Sequence, residues 1–328
     1  MNSVPRTVVL HADDFGMNAA VTAGILQAFS SGLLTSTSVL ANAPACEHAL
    51  AGWKTLETDR KAGRLPSQAV RERLDDPGSP FDLGIHLNLT QGRPLTGLRY
   101  PAELLDKQGR FPGIGRLFWK WRRDASRYHE AVWNELAAQV EVLVDHDLFP
   151  THLNGHQYVE LLPGLADIVL RLCERFAIPA VRVAREERLL QTTLLRGGHV
   201  TNWLLARVKR HFANSFRDRI HRSGLSHADA FFGTSHAGRV DLPMVNTFLA
   251  EPVARKIVEI GLHPGATPSG NDTDDIAAGW GDPLAGIRPN ELDLLTSDGL
   301  IQFLESHGWR LGRLSCLGRM EPLHDTAH

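Results

Sequence analysis

The chain has 328 residues, enough for one large α/β domain or two ordinary ones around a sizeable core. Its 35 basic and 37 acidic residues leave a formal charge of −2, so no global field favours nucleic acid or an anionic membrane, and recognition has to be local. Three widely spaced cysteines read as buried thiols rather than a disulfide framework, Met1 to Thr7 is too short and polar for a signal peptide, and no apolar run reaches membrane-spanning length, so a soluble cytoplasmic protein is expected.

In chain order, Thr7 to Leu10 is β-branched and apolar, as a strand buried on both faces is, and it stops at Asp13, Asp14 and Gly16. Asn18 then opens a helix whose apolar rhythm runs through Val21, Ile25 and Phe29, and Gly32 ends it. Thr35 to Leu40 reads as a second strand and Cys46 to Trp53 as a short helix. From Glu57 to Pro80 the chain is polar and aperiodic, a surface connection with room for one helical turn. Phe81 to Thr90 alternates like a strand and sets His86 and Asn88 on one face. Gly92-Arg93-Pro94-Leu95 is a turn within an insertion at about 92–128, irregular from Leu98 to Arg127, that carries Phe111, Phe118, Trp119, Trp121 and several arginines. Interleaved aromatics and cations can serve nucleic acid, but no wider basic surface accompanies them, and no such partner is expected.

Val132, Leu136, Val140, Leu143 and Val144 mark an amphipathic helix ending near His146. Pro150 to Asn154 is a short strand running into a loop with His156, followed by a helix with Leu165, Ile168, Val169, Leu172 and Phe176 inward. Ala180 to Val183 is a strand, and about 185–228 is a variable, mostly helical, surface-rich region. Asp229 to Gly233 gives a strand and turn, and Lys256 to Leu262 a strand ending in His263-Pro264-Gly265. Thr296 to Ser306 is helical, Arg310 to Leu317 a last strand, and Met320 to His328 a frayed tail. Strands and helices alternate over 1–328 without a repeat or linker, which predicts a single α/β domain on a mostly parallel sheet, open or closed as a barrel.

Strand ends are where such sheets bind ligands, and these carry Asp13 with Asp14, His86, His152 with His156, and His263. One of these alone is weak evidence, since an Asp-Asp pair also caps helices and a lone histidine is commonly structural. Together, one carboxylate and two imidazoles form a divalent-metal shell with positions left open for water and substrate, a catalytic rather than a structural count. The same ligand types build the facial triad of iron oxygenases, but those ligands usually lie close together on one strand, and here three separate segments supply them.

Four motifs, Ala12-Asp13-Asp14-Phe15-Gly16, Gly84-Ile85-His86-Leu87-Asn88-Leu89-Thr90, Thr151-His152-Leu153-Asn154-Gly155-His156 and Leu262-His263-Pro264-Gly265, together resemble the YdjC/ChbG-type carbohydrate deacetylases, which include hopanoid-sugar deacetylases. The resemblance runs from about residue 6 to 316. It implies a distorted (β/α) barrel related to polysaccharide deacetylases, one divalent metal ion, and hydrolysis of an N-acetyl group from an amino sugar in an oligosaccharide or glycolipid. By position, Asp14, His86 and His156 would hold the metal, Asp13 would be the general base and His263 the general acid, with Asn88, Arg93 and His152 toward the substrate. The ligand set favours zinc on softness and leaves magnesium or another divalent ion open. Asp229 and Gly233 match a short family pattern near the pocket. Asn154-Gly155-His156-Gln157-Tyr158-Val159-Glu160 departs from the family's Asp-Ser-His run rich in further histidines, which touches metal affinity and substrate choice. Hydrolysis of an ester by the same centre, and a non-catalytic carbohydrate-binding relative, are the alternatives; homo-oligomerisation is left open.

Overall fold

Among the described residues eight strands, paired in parallel, form one curled sheet: β1 (Arg6–Phe15), β2 (Ser36–Val39), β3 (Asp82–Leu87), β4 (His152–Gly155), β5 (Ala180–Val181), β6 (Ala230–Phe232), β7 (Ile257–Leu262) and β8 (Trp309–Leu311). The computed structural model describes residues 6–65, 81–185, 200–234, 236–249, 257–268 and 278–319. The order across the sheet is β5-β4-β3-β2-β1-β7-β6, with β8 added to β1. The long β1 organises it: one edge pairs with β7 from Thr7 to Ala12, the other with β8 from Arg6 to Val8 and then with β2 from His11 onward. At the far side β5 meets the segment leading into β6 through a bridge between Ala180 and Ser226. The barrel is therefore present in distorted form, with its seam between β5 and β6.

The helices are α1 (Ala19–Ser31), α2 (Cys46–Lys61), α3 (Ile114–Arg123), α4 (Ala125–Asp145), α5 (Leu165–Phe176), α6 (Val200–Ser223), α7 (Leu242–Leu249), α8 (Arg288–Leu295) and α9 (Asp298–Ser306). Asn18 caps α1, its side-chain oxygen accepting from the Val21 N–H at 2.8 Å. Several boundaries differ from the sequence reading. α2 continues to Lys61 rather than stopping at Trp53, because Leu56 is buried and Glu57 pairs with Arg60 at 2.8 Å one turn on. α4 begins at Ala125, inside the stretch read as irregular, since Tyr128 already joins the stripe of Val132 and Leu136. The last strand stops at Leu311, and Leu314 to Arg319 is a 3₁₀ turn instead of its continuation. The sequence reading does not give α7 or α8, nor α3, a whole helix inside the stretch read as irregular that buries Leu117 and Trp121. Residues 66–80 of the polar connection, 186–199 of the variable region and the tail from 320 lie outside the described residues.

The period-two alternation of the strands sorts their side chains into two environments. Outward, Val8, Leu10, Ala12, Ile85, Leu87, Leu153, Val258, Ile260 and Leu262 pack under the helices in the main apolar core. Inward, Val9, Ala180, Ile257, Leu314 and Leu317 form a small separate cluster that plugs the N-terminal end of the barrel. Beyond that plug the interior turns polar: His11, Asp13, Ser36, Ser38, His86, His152, Asn154, Arg182 and Glu259 are all buried. Gly84 lacks a side chain where the His152 ring lies, for a Cβ there would come within 2.3 Å of it. Polar groups concentrated at the C-terminal end of a parallel barrel, over an apolar floor, mark that end as the working one.

Candidate active site

Neighbouring residues of a regular strand point to opposite faces, so Asp13 and Asp14 could not both reach the barrel mouth from an ideal β1. The pairing of β1 with β2 slips between Ala12 and Phe15, and Asp14 takes a left-handed φ of 68°. This bulge turns both carboxylates toward one site, a conformation that Asp tolerates better than most residues. The strand thus runs through the pair instead of ending before it.

Asp14, His86 and His156 converge, each offering a ligand atom within 4.8 Å of the others. His156 Nδ1 lies 2.9 Å and His86 Nε2 3.5 Å from Asp14 Oδ1. The hydrogen bonds define what this cluster lacks. Asn154 Nδ2 donates to Asp13 Oδ1 at 3.1 Å, which fixes the amide so that its oxygen faces His86 Nδ1 at 2.7 Å. A neutral His86 would then donate from Nδ1 and point the Nε2 lone pair at the Asp14 carboxylate, two acceptors face to face. Although burial opposes it, Asp13 and Asp14 raise the pKa of this imidazole, drawing positive charge to the same place. His156 Nε2 is buried and has no partner among the described residues. A cation resolves both conditions, and two imidazoles with one carboxylate are donors suited to zinc. The residues present fit a divalent ion.

Each carboxylate has its own arginine. Arg182 donates from Nη1 to Asp13 Oδ2 at 2.7 Å and from Nε to Glu259 Oε1 at 2.7 Å; Arg288 donates from Nη2 to Asp14 Oδ2 at 2.8 Å. Burial alone would raise both aspartates, but Arg182 beside Asp13 and Arg288 beside Asp14, together with the nearby histidines, hold them well below the usual carboxylate range. Both therefore stay ionised at neutral pH. His263 Nε2 is 3.8 Å from Asp13 Oδ2, and burial lowers the pKa of its imidazole.

The other residues singled out from the sequence sit differently. His152 is fully buried, its ring edge-on to His11 at 4.8 Å and its Nδ1 3.0 Å from Thr151 Oγ1; burial holds it neutral, well below the ordinary histidine range. Asn88 is also buried and folds the loop after β3, accepting from the Thr90 and Gln91 N–H groups and donating to Asn42 Oδ1 and the Gln91 carbonyl. Arg93 is exposed on the same loop, with Nη1 3.3 Å from the Gly109 carbonyl. Trp121 is buried and donates to the Pro163 carbonyl at 2.7 Å, whereas Trp119 is 63% exposed. Asp229 accepts from the Ile257 N–H at 2.9 Å, and Gly233, at φ 117°, lies against the Gly261 backbone, so both shape the β6–β7 edge.

A family model of YdjC-like proteins matches residues 7–306. The chain belongs to the YdjC-like family. Among curated relatives of this YdjC-like chain, a carbohydrate deacetylase of Vibrio cholerae serotype O1 is 28% identical over 319 residues, covering 97% of this chain and 98% of that one. A carbohydrate deacetylase of Geobacillus stearothermophilus is 35% identical over 189 residues, 57% of this chain and 64% of that one. A chitooligosaccharide deacetylase of Yersinia enterocolitica is 25% identical over 94% of this chain and 98% of its own. Among solved structures, an Enterococcus faecalis V583 protein described as a cellobiose-phosphate cleavage protein superposes with a TM-score of 0.65 at 20% identity, over 95% of this chain and 99% of that one, which shows the shared fold.

The sequence reading of this YdjC-like protein gave no role to Arg182, Glu259 or Arg288. A signal existed for the first two: each is a charge inside an apolar strand run, Val181-Arg182-Val183 and Val258-Glu259-Ile260, where a buried ion needs a partner. Trp280 was missed too; it is buried, its ring centroid is 6.5 Å from that of His156, and Gly92 leaves it room, since a Cβ there would meet the indole at 2.5 Å.

Glu160, one of the departures from the family run, is buried in the turn after His156, and neither of its oxygens has a hydrogen-bond partner among the described residues. Burial pushes its carboxyl up to about 7, against the pull of Arg182. A carboxyl raised in the folded state stabilises fully below its unfolded pKa of about 4.3, and that contribution is lost as pH rises through about 7. Glu160→Gln keeps the shape and removes the titration. In metal-free protein the variant is expected to exceed the parent by about 3 kcal/mol at pH 8 and to match it near pH 4.5. Urea denaturation at the two pH values measures this difference.

Proposed function

We propose that this chain is a divalent-metal-dependent hydrolase that removes the N-acetyl group from an N-acetylated amino sugar, releasing acetate and a free amine. The observation that carries the reading is the buried Asp14, His86 and His156 cluster beside a second carboxylate, Asp13, that an arginine keeps ionised. The names of the relatives, carbohydrate and chitooligosaccharide deacetylase, support the same substrate class. Three cysteines outside any disulfide suit the reducing, cytoplasmic setting expected from the sequence.

An amide resists hydrolysis because its carbonyl carbon is a poor electrophile and its amine a poor leaving group. Asp14, His86 and His156 would hold a divalent ion such as zinc, which would supply positive charge to polarise the acetyl carbonyl and to acidify water at neutral pH. Asp13 is the base that takes the proton of the attacking water. Because Arg182 makes Asp13 a weak base, the proton does not rest there. His263 Nε2, 3.8 Å from Asp13 Oδ2, receives it as a neutral imidazole and delivers it to the departing sugar nitrogen. One proton leaves water and one arrives on the amine. Asn154 keeps this machinery in register, since the same amide bonds Asp13 and His86.

Zinc-loaded protein incubated with diacetylchitobiose and with an N-acetylglucosaminyl lipid is expected to release acetate and free amine in equal amounts from at least one of them, to lose this with a chelator and to regain it with zinc. Acetate from O-acetylated sugars alone would move the reading to an esterase, and no acetate from any acetylated sugar would overturn it.

A further inference from the structure

Asp14 shares its two carboxyl oxygens between different neighbours. Oδ1 faces the imidazoles of His156 and His86, while Oδ2 accepts from Arg288 Nη2 at 2.8 Å. Arg288 does not depend on Asp14 for its place. Asp282 accepts from its Nε at 2.8 Å and its Nη2 at 3.0 Å, and its stem lies against Gly265, where a Cβ would stand 3.0 Å from Arg288 Cδ. Arg288 Nη1 also lies 3.4 Å from the His263 carbonyl. Glu291, three residues on along α8, accepts from the His263 N–H at 2.5 Å and from the Val240 N–H at 2.8 Å. Both side chains are buried. The first turn of α8 therefore grips the outer oxygen of Asp14 and both backbone polar groups of His263.

We propose that Arg288, oriented by Asp282, is a positioning residue that presents Asp14 to the metal through Oδ1 alone, and that Arg288 and Glu291 together tie the metal carboxylate and His263 to one helical turn. This rests on the reading of Asp14 as a metal ligand. An opposite role is conceivable for an arginine at this place, a resident cation that competes with the metal. The geometry argues against it. Asp282 already neutralises and aims the guanidinium with two bonds, so a metal arriving at Oδ1 has no need to displace it. Partners that orient a ligand from outside the coordination sphere are typically worth about 10–100-fold in metal affinity.

The two roles give opposite signs. Zinc binding to the full chain, measured by calorimetry with ZnCl₂, is expected to weaken by about 10–100-fold in Arg288→Met and by a smaller factor in Asp282→Asn. Arg288→Lys keeps the charge but cannot span both carboxylates in a fork, and is expected not to restore affinity. With CoCl₂ as the probe, the visible absorption of Arg288→Met is expected to differ from the parent's, because the second Asp14 oxygen is free to enter the shell. Zinc affinity in Arg288→Met equal to the parent's would overturn the proposal, and tighter affinity would overturn it and identify a competing cation. A parent chain that binds no zinc would overturn the metal reading itself, a result distinct from a zinc-binding parent with unchanged variants. Should Arg288→Met fail to fold, Asp282→Asn, which retains the arginine, decides the matter with the same two outcomes.

Discussion

Replacing Asp13 with asparagine is expected to lower kcat for acetate release by about 10²–10⁴-fold, the range for a positioned proton-transfer group, while zinc affinity falls by less than about tenfold. The contrast follows from where the two carboxylates stand. Asp13 is outside the candidate metal cluster and bonds Arg182 and Asn154, so on the proposed mechanism its loss removes the base without removing a ligand. The substitution has a second consequence. Arg182 is 1% exposed and, among the described residues, would keep Glu259 as its remaining acidic partner, and a buried pair broken on one side typically costs about 3–5 kcal/mol. A fall in thermal stability should therefore accompany the loss of rate, and steady-state kinetics, zinc calorimetry and melting curves on the same sample separate the effects. Normal turnover in a folded, zinc-binding Asp13→Asn protein would remove Asp13 from the mechanism. Because Arg182 holds the parent's Asp13 well below the ordinary carboxylate range, the acid limb of its pH profile is expected to report other groups down to about pH 4.

The strand-end motifs make the cluster legible in the sequence, because histidines and aspartates after apolar runs have few other reasons to recur at one edge of a sheet. The means by which they meet were less legible. Nothing in Asp13-Asp14 announces that β1 continues through the pair and that a left-handed Asp14 reverses its facing; a bulge is a property of pairing with β2, which a single strand does not encode. Arg288 is harder still. It stands at the head of α8 after a stretch of glycine, proline and aspartate with little periodicity, and its partner Asp14 is 274 residues away, so only the closed fold brings them together. Asn88 shows the reverse case. Its position two after His86 placed it on the site's face, yet its amide is occupied in building the loop that carries Gly92 to Trp280.

Replacing His156 with alanine is expected to abolish both zinc binding and acetate release, a larger effect than any outer contact gives. The ring offers a ligand atom from the turn after β4, whereas Asp14 and His86 come from other strands; without it, an ion held as proposed would keep one carboxylate oxygen and one imidazole. Two donors do not hold zinc in competition with water and buffer, so affinity should fall by well over the roughly 10–100-fold assigned to outer partners. Stability provides an independent readout. A ligand at about 100 times its dissociation constant stabilises a folded chain by about 2.7 kcal/mol, several degrees in melting temperature for a chain of this size. The parent should show that shift on adding zinc, Asp13→Asn should retain most of it, Arg288→Met should need more zinc to reach it, and His156→Ala should show none. A zinc-dependent shift that survives in His156→Ala would place the ion elsewhere, because the three ligands proposed here cannot lose one and keep it.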